Sequence, residues 1–412
     1  MHAVVRLRAD RPRTAPRRAP TNYRGLVRVA ALASLALGVV GTVGWSIHRR
    51  QVDVEVYLMG ARHLTSAHLY DQYLAGVHLP FTYPPFAALV MWPLTWFDVA
   101  TAQVVWALVN LAALAGLLAF SLWYLRPDDR DATAAVPWTL VALLIGPAVL
   151  LEPVMLDVSF GQINLLLVLL VLVDATSTLS VAGRDLPRGV GVGIAAAIKL
   201  VPALFVVFFL VTRQFRAAMS AAVTFVTCAA LAAVVTPSAS RAFWTHYVND
   251  QRRIGSITYV SNQSLEGALE RVTHHAWSSG ALIAVQGATV IIGLVAARRL
   301  WRSSSNFWSV LVVADTGLLA SPISWAHHLV WIVPVLAWLW WGEDRPVRAR
   351  WWAVGGAALF FVAPMWRIAH GPPFDSHEHG ASLVAGNSFT LAALVFLGWS
   401  FAWAHREVAE RL

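Results

Sequence analysis

Runs of about twenty apolar residues recur along this chain, and that length is what a helix rising about 1.5 Å per residue needs to cross a hydrocarbon layer of roughly 30 Å. The first runs from Leu26 to Trp45, and others follow at 99–124, 136–156, 160–176, 215–236, 279–297, 306–320, 328–342, 351–366 and 387–404. Two segments are ambiguous. Pro84–Phe97 is about half the length of a span, and Gly189–Leu210 carries Lys199 and Pro202 at its middle. Counting both gives about 12 membrane helices. The chain therefore reads as all-α, a polytopic bundle without a sizeable soluble domain. Charged residues make up 13% of it, against about 25% in a soluble domain.

The formal charge of +9 does not indicate nucleic acid. The cations sit at the N-terminus and in short clusters between apolar runs, the distribution of cytoplasmic loops. Residues 1–25 read as a basic cytoplasmic tail leading into a signal anchor, because no small-residue cleavage site follows the first apolar run. Residues 26–404 form one transmembrane domain, and 405–412 a short cytoplasmic tail. Cys228 is the single cysteine, which excludes an intrachain disulfide and a cysteine metal cluster. Of 31 basic side chains, Lys199 alone is lysine, and it lies in an apolar segment where its charge is unfavourable.

One topology satisfies the loop charges. Pro84–Phe97 dips in from the outer face, and 189–211 forms two short helices turning at Lys199-Leu200-Val201-Pro202, since proline removes a backbone hydrogen bond. The arginines at 126 and 130, 184 and 188, 213 and 216, 298 to 302 and 345 to 350 then lie inside, as do both termini. Asp53, Gln162, Asn164, Lys199, Asn262, Gln263, His327 and His328 lie outside. The outer loops become 48–98, 237–278 and 367–386. No internal repeat suggests an inverted-repeat transporter.

The outward polar residues are the candidates for chemistry. Asp53, in Val52-Asp53-Val54-Glu55-Val56-Tyr57, reads either as a solvated carboxylate at a membrane boundary or as a general base shielded from bulk water. Glu55 would point elsewhere in a helix and share a face with Asp53 in an extended chain. Leu79 through Phe86 is aromatic and proline-rich, a rigid start to a helix or a surface on which Tyr83 meets a sugar. Gly161-Gln162-Ile163-Asn164 opens an apolar helix, where carboxamides satisfy free N–H groups or bind hydroxyls and phosphate. Lys199 calls for an anion, and its own segment offers none; a phosphate-bearing lipid fits. His327 and His328 are adjacent, unlike the i, i+4 spacing of a helical metal pair, so hydrogen bonding to carboxylate or phosphate is the better reading. His377-Glu378-His379 reads as a solvated loop with weak metal potential. No metal or other cofactor is expected.

These pieces, in order, resemble the polyprenol-phosphate-mannose-dependent α-(1→2)-mannosyltransferases of mycobacteria and related actinobacteria, glycosyltransferase family 87. The matching residues are Val52 through Tyr57, Leu79 through Phe86, Phe160 through Asn164, Ile198 through Pro202, Arg253-Ile254-Gly255, Ser261 through Ser264 and Ser321 through His328. The resemblance implies a GT-C fold in the cell membrane with its active site on the extracytoplasmic face. It implies a polyprenyl-phosphomannose donor and a mannosylated phosphatidylinositol lipid, lipomannan or lipoarabinomannan as acceptor. A β-linked donor and an α-linked product require inversion by a single displacement. Asp53 would then be the base, with His327 as a second catalytic residue that either orients Asp53 or contacts the phosphate. Lys199, Arg253 and His328 would meet the phosphate. Gln162, Asn164, Asn262, Gln263 and Tyr83 would meet sugars, with the role of Glu55 open. Competing classes are a flippase or transporter of lipid-linked sugars, a related enzyme using another polyprenyl-phosphate sugar, and a non-catalytic membrane subunit. A transporter would place polar groups on both sides of the membrane, which separates it from a one-sided transferase.

Overall fold

The computed structural model describes residues 5–8, 24–126, 136–181, 184–250, 253–371 and 379–409. Eighteen α-helices run through those residues. The first part holds α1 (Arg24–His48), α2 (Val52–Arg62), α3 (Pro85–Met91), α4 (Val99–Leu125), α5 (Trp138–Val149), α6 (Glu152–Phe160) and α7 (Asn164–Thr176). Next come α8 (Val190–Ile198), α9 (Leu204–Val211), α10 (Phe215–Val235), α11 (Pro237–Thr245) and α12 (Leu265–Thr273). The chain continues through α13 (Ser279–Arg302), α14 (Asn306–Ala320), α15 (Ile332–Trp341), α16 (Ala349–Val362), α17 (Ala381–Gly386) and α18 (Ser388–Ala409).

Among the described residues, five helices are long and apolar enough to cross a membrane, namely α1, α4, α10, α13 and the 388–405 part of α18. The protein is an integral membrane protein, mostly helical. Other expected spans are shorter. Helices α7, α14, α15 and α16 have 13, 15, 10 and 14 residues. The stretch expected as one span at 136–156 is a bent pair, α5 and α6, meeting at 82°. Leu151, extended at ψ 129°, and Pro153 in the first turn of α6 explain the break. A few short strands accompany the helices. Val5–Arg8 pairs antiparallel with Thr178–Val181, which pairs onward with Arg184–Asp185. Tyr73–Leu74 pairs with Leu79–Pro80. The basic residues of the tail at 9–23, Arg130, and His377 and Glu378 lie outside the described residues.

Helix α4 is the central post, packed on α1, α5, α7 and α15, with Trp106, Leu114, Leu117 and Leu122 buried. The 189–211 segment breaks where proline predicts. Helix α8 ends at Ile198, Lys199 is extended (φ −146°, ψ 125°), and a single 3-10 turn at Val201–Ala203 leads into α9. The start of α8 is fixed by Asp174 of α7, whose carboxylate accepts from the N–H groups of Gly189 and Val192 at 2.9 Å. Such a cap is worth about 1 kcal/mol. It also sets the position of Lys199, nine residues further on.

Candidate active site

The site begins at the junction of α6 and α7. Gly161 ends α6 in the left-handed conformation at φ 74°, and a Cβ there would fall 2.2 Å from Val54 Cγ2 of α2. Glycine thus allows the two elements to close. The N–H of Gln162 donates back to the Asp157 carbonyl at 2.8 Å, satisfying a free helix carbonyl. Trp106 Nε1 donates to Gly161 O at 2.7 Å, and Asn110 Nδ2 to Gln162 O at 2.9 Å. The central helix therefore holds this turn by its backbone and leaves the Gln162 side chain for other work.

That side chain joins three elements. Gln162 Oε1 accepts from the Tyr57 hydroxyl of α2 at 3.1 Å and the Tyr83 hydroxyl at 3.3 Å. With its oxygen oriented by two donors, its amide nitrogen is left as the donor, and the side chain hydrogen-bonds Asp53. Burial pushes the Asp53 carboxyl up to about 6, with the Gln162 hydrogen bond and the charge of Lys199 pulling the other way. A carboxyl so placed is half ionised near pH 6 and mostly ionised at neutral pH, the state in which a carboxylate can accept a proton.

The cation is held by a second set of residues. Lys199 Nζ donates to Asn164 Oδ1 at 2.8 Å, stands 3.1 Å from His328 Nε2, and lies 5.4 Å from the centre of the Tyr83 ring. His327 is 5% exposed and packs edge-on against Phe160 at 5.7 Å. Neither of its ring nitrogens has a hydrogen-bond partner among the described residues. Arg253 reaches the Tyr70 carbonyl and stacks 4.5 Å from the centre of the Tyr247 ring.

These residues line one cavity of about 750 Å³, which Asp53, Tyr83, Gln162, Lys199, Arg253, His327 and His328 share. Asn164 lines an adjoining space of about 60 Å³ together with Lys199 and His328. A separate cavity of about 610 Å³ lies among α14, α15, α16 and α18 with an almost wholly apolar lining. The polar chemistry therefore gathers in the first.

Besides Asn164, three expected site residues do not line that cavity. Asn262 is fully buried; its amide donates to Ile257 O and Pro322 O, and its oxygen accepts from the N–H groups of Ser264 and Ser324. Gln263 donates to Val260 O and Gly386 O and accepts from the N–H groups of Phe389 and Thr390. Both carboxamides, expected to bind sugars, instead lock the 261–264 loop onto the 321–328 loop and the start of α18. Buried amides must find such partners, and loop carbonyls supply them. Glu55 turns away into a two-pronged ion pair with Arg50 at 2.7–2.9 Å. The helical reading of 52–57 explains this, since residues two apart lie on different faces.

Sequence reasoning missed Tyr57, which shares Gln162 with Tyr83, and Asp157. Asp157 is fully buried and accepts from Asn164 Nδ2 at 2.7 Å. The signal for it was a carboxyl at the junction of two runs read as apolar spans, 136–156 and 160–176.

Fold and site define a class: a helical membrane protein with a carboxyl group, a cation and histidines around one polar cavity. The chain belongs to glycosyltransferase family 87, whose profile matches residues 81–322. It is 32% identical over 401 residues, 94% of each chain, to the polyprenol-phosphate-mannose-dependent alpha-(1-2)-phosphatidylinositol pentamannoside mannosyltransferase of Mycolicibacterium smegmatis. It is 33% identical over 356 residues, 81% of each chain, to the polyprenol-phosphate-mannose-dependent alpha-(1-2)-phosphatidylinositol mannoside mannosyltransferase of Mycobacterium tuberculosis. No solved structure matches the chain. The family resemblance carried by the seven motifs is thus borne out.

Proposed function

We propose that the protein moves mannose from polyprenyl-phosphomannose to a mannose hydroxyl of a lipid-anchored glycan, forming an α-(1→2) link with inversion. The observation that carries this reading is the meeting of Asp53 and Lys199 across one cavity, with Gln162 and Tyr83 between them. The names of the relatives support the donor and point to mannosylated phosphatidylinositol as acceptor. In this mechanism the acceptor oxygen attacks the anomeric carbon as the carbon–oxygen bond to phosphate breaks. Its proton passes to Asp53, and the bonding pair leaves on polyprenyl phosphate. Lys199, with His327 and His328 beside it, stabilises the charge that develops there. Arg253 lies further along the cavity wall as a second phosphate contact. Gln162 orients the base, and Tyr83 offers a ring to the sugar.

The same reading sets the protein in the cell membrane as a GT-C bundle of about 12 helices, with the cavity on the extracytoplasmic face and both termini inside. Residues 26–404 form the transmembrane domain, and 48–98, 237–278 and 367–386 its outer loops. Two observations support it. The polar groups share one cavity, where a transporter would want them on both sides. The N-terminal strand pairs with residues 178–181, as two segments on one side of the membrane must.

The test is product linkage analysis. Purified protein is given polyprenyl-phosphomannose and a panel of mannosylated phosphatidylinositol lipids. The expected product carries a new α-(1→2)-mannose. Transfer from another polyprenyl-phosphate sugar, and none from the mannose donor, would move the assignment to a different donor; movement of lipid across the bilayer without transfer would favour a flippase.

A further inference from the structure

The cation of the site does not stand alone behind the cavity wall. Lys199 Nζ donates to Asn164 Oδ1 at 2.8 Å, and Asn164 Nδ2 donates to Asp157 Oδ1 at 2.7 Å. The amide thus lies between an ammonium and a carboxylate with each of its ends turned to the matching charge. A second contact, from Asn164 Nδ2 to His327 O at 3.2 Å, ties the same amide to the histidine turn. Asp157 is fully buried, and its Oδ2 has no partner among the described residues. A buried carboxylate with half its capacity unused is unfavourable unless a nearby cation compensates it. Lys199 is the cation linked to it.

We infer that Asp157 is a positioning residue that acts through Asn164: it is the resident counter-ion of Lys199, keeping the ammonium charged and aimed at the lipid phosphate. The inference rests on the reading of Lys199 as the phosphate contact. Asp157 stands behind Asn164, outside the residues lining the cavity, so an incoming phosphate meets the ammonium first and the carboxylate at longer range. Coulomb attraction falls with distance, and the nearer, opposite charge decides. Without Asp157, a lysine in this apolar setting loses the partner that favours its charged form. The amide is then free to turn its oxygen away.

The experiment uses the full-length protein in nanodiscs with polyprenyl phosphate as probe and a mannosylated phosphatidylinositol lipid as control. Asp157→Asn keeps the shape and the hydrogen bond to Asn164 but removes the charge. Expected is about tenfold weaker binding of polyprenyl phosphate, with binding of the control lipid unchanged. In the Lys199→Met background, Asp157→Asn should produce no further loss, since the two act as one unit. Equal losses for both lipids, or full additivity of the two substitutions, would overturn the inference, because either marks a general packing role. Should Asp157→Asn fail to fold, the double variant still decides. Neutralising both ends removes both unpaired charges, so the double variant should melt above Lys199→Met alone; a lower melting temperature overturns the inference. These readouts need no sugar transfer. Failure of the mannosyltransferase reading would appear in the linkage analysis, and failure of the relay would appear here.

Discussion

The rings of His327 and His328 stand 4.8 Å apart at 81°, and their nitrogens face different fates. His328 Nε2 lies 3.1 Å from Lys199 Nζ. An ammonium offers no lone pair, so the imidazole is the acceptor, is neutral there, and carries its proton on Nδ1. His327 lines the cavity with neither nitrogen partnered among the described residues. The adjacent histidines therefore differ in their contacts, which their sequence spacing does not reveal. His328→Ala should loosen Lys199 and raise the KM for donor more than it lowers kcat. His327→Ala should lower kcat, with donor binding largely kept. Steady-state kinetics on both variants checks this; the opposite split would exchange the two roles.

Lys199 itself is held by Asn164 and His328 and lies against Tyr83. A charge-assisted contact in such a place is worth roughly 1.5–3 kcal/mol, about tenfold to a hundredfold in affinity. Lys199→Met should therefore weaken donor binding by that factor while the protein still folds. Lys199→Arg should also bind poorly, because the wider planar guanidinium does not fit a socket built for a compact ammonium. Unchanged donor affinity in Lys199→Met would remove this residue from the phosphate site.

The sidedness of the cavity has a direct check. With Cys228, which is buried, replaced by serine, a single cysteine at Ser66 or at His370 should react with a membrane-impermeant maleimide added from outside. His370 is preferable to its neighbour Gly371, whose φ of 85° would strain any side chain. Labelling of either site from the cytoplasmic side alone would invert the topology.

Much of this site was legible in the sequence, for reasons that can be stated. Asp53 and the histidine pair are titratable groups at the ends of apolar segments, and Lys199 is a charge at the middle of one, where such groups are unfavourable unless they serve a purpose. The break at Lys199 followed from Pro202. Asn262 and Gln263 looked equally suitable, and nothing in their spacing separates a carboxamide that meets a sugar from one that satisfies loop carbonyls; that distinction is tertiary. Asp157 was hidden for a related reason. Lys199 was matched against its own segment, and its counter-charge lies on α6, brought near by the turn at Gly161. The 82° bend between α5 and α6 was likewise invisible to a hydropathy window, which reads two apolar helices and their corner as one span.

Because burial holds the Asp53 carboxyl at about 6, the enzyme should show an acid limb. A general base works when ionised. The carboxylate fraction falls about tenfold per pH unit below that value, so kcat/KM should rise with pH up to about 6 and level off above it. Replacing Gln162 by leucine removes a hydrogen bond that favours the ionised form, and the limb should then move to higher pH. A profile flat from pH 4 to 8, or a limb unmoved in Gln162→Leu, would show that another group takes the proton.

The two carboxylates of the 52–57 motif give the sharpest test of the mechanism. A sugar hydroxyl is a weak nucleophile, and general-base help typically supplies about 10²–10⁴-fold in rate. Asp53→Asn preserves the shape and can still meet Gln162, yet it cannot accept the proton. It should fold, bind donor normally and lose transfer by about that factor. Glu55 is already engaged by Arg50 at 2.7–2.9 Å and faces away from the cavity. Glu55→Gln should therefore leave kcat within a few fold of the parent, and its effect should be on stability, modest because the ion pair is partly exposed. Radiolabelled mannose transfer and a thermal melt on both variants separate the outcomes. Near-normal transfer by Asp53→Asn with a dead Glu55→Gln would mean that Arg50 swings aside and Glu55 is the base. Normal transfer by both would remove general-base catalysis from this face of the cavity, and the single displacement would have to find its proton acceptor elsewhere.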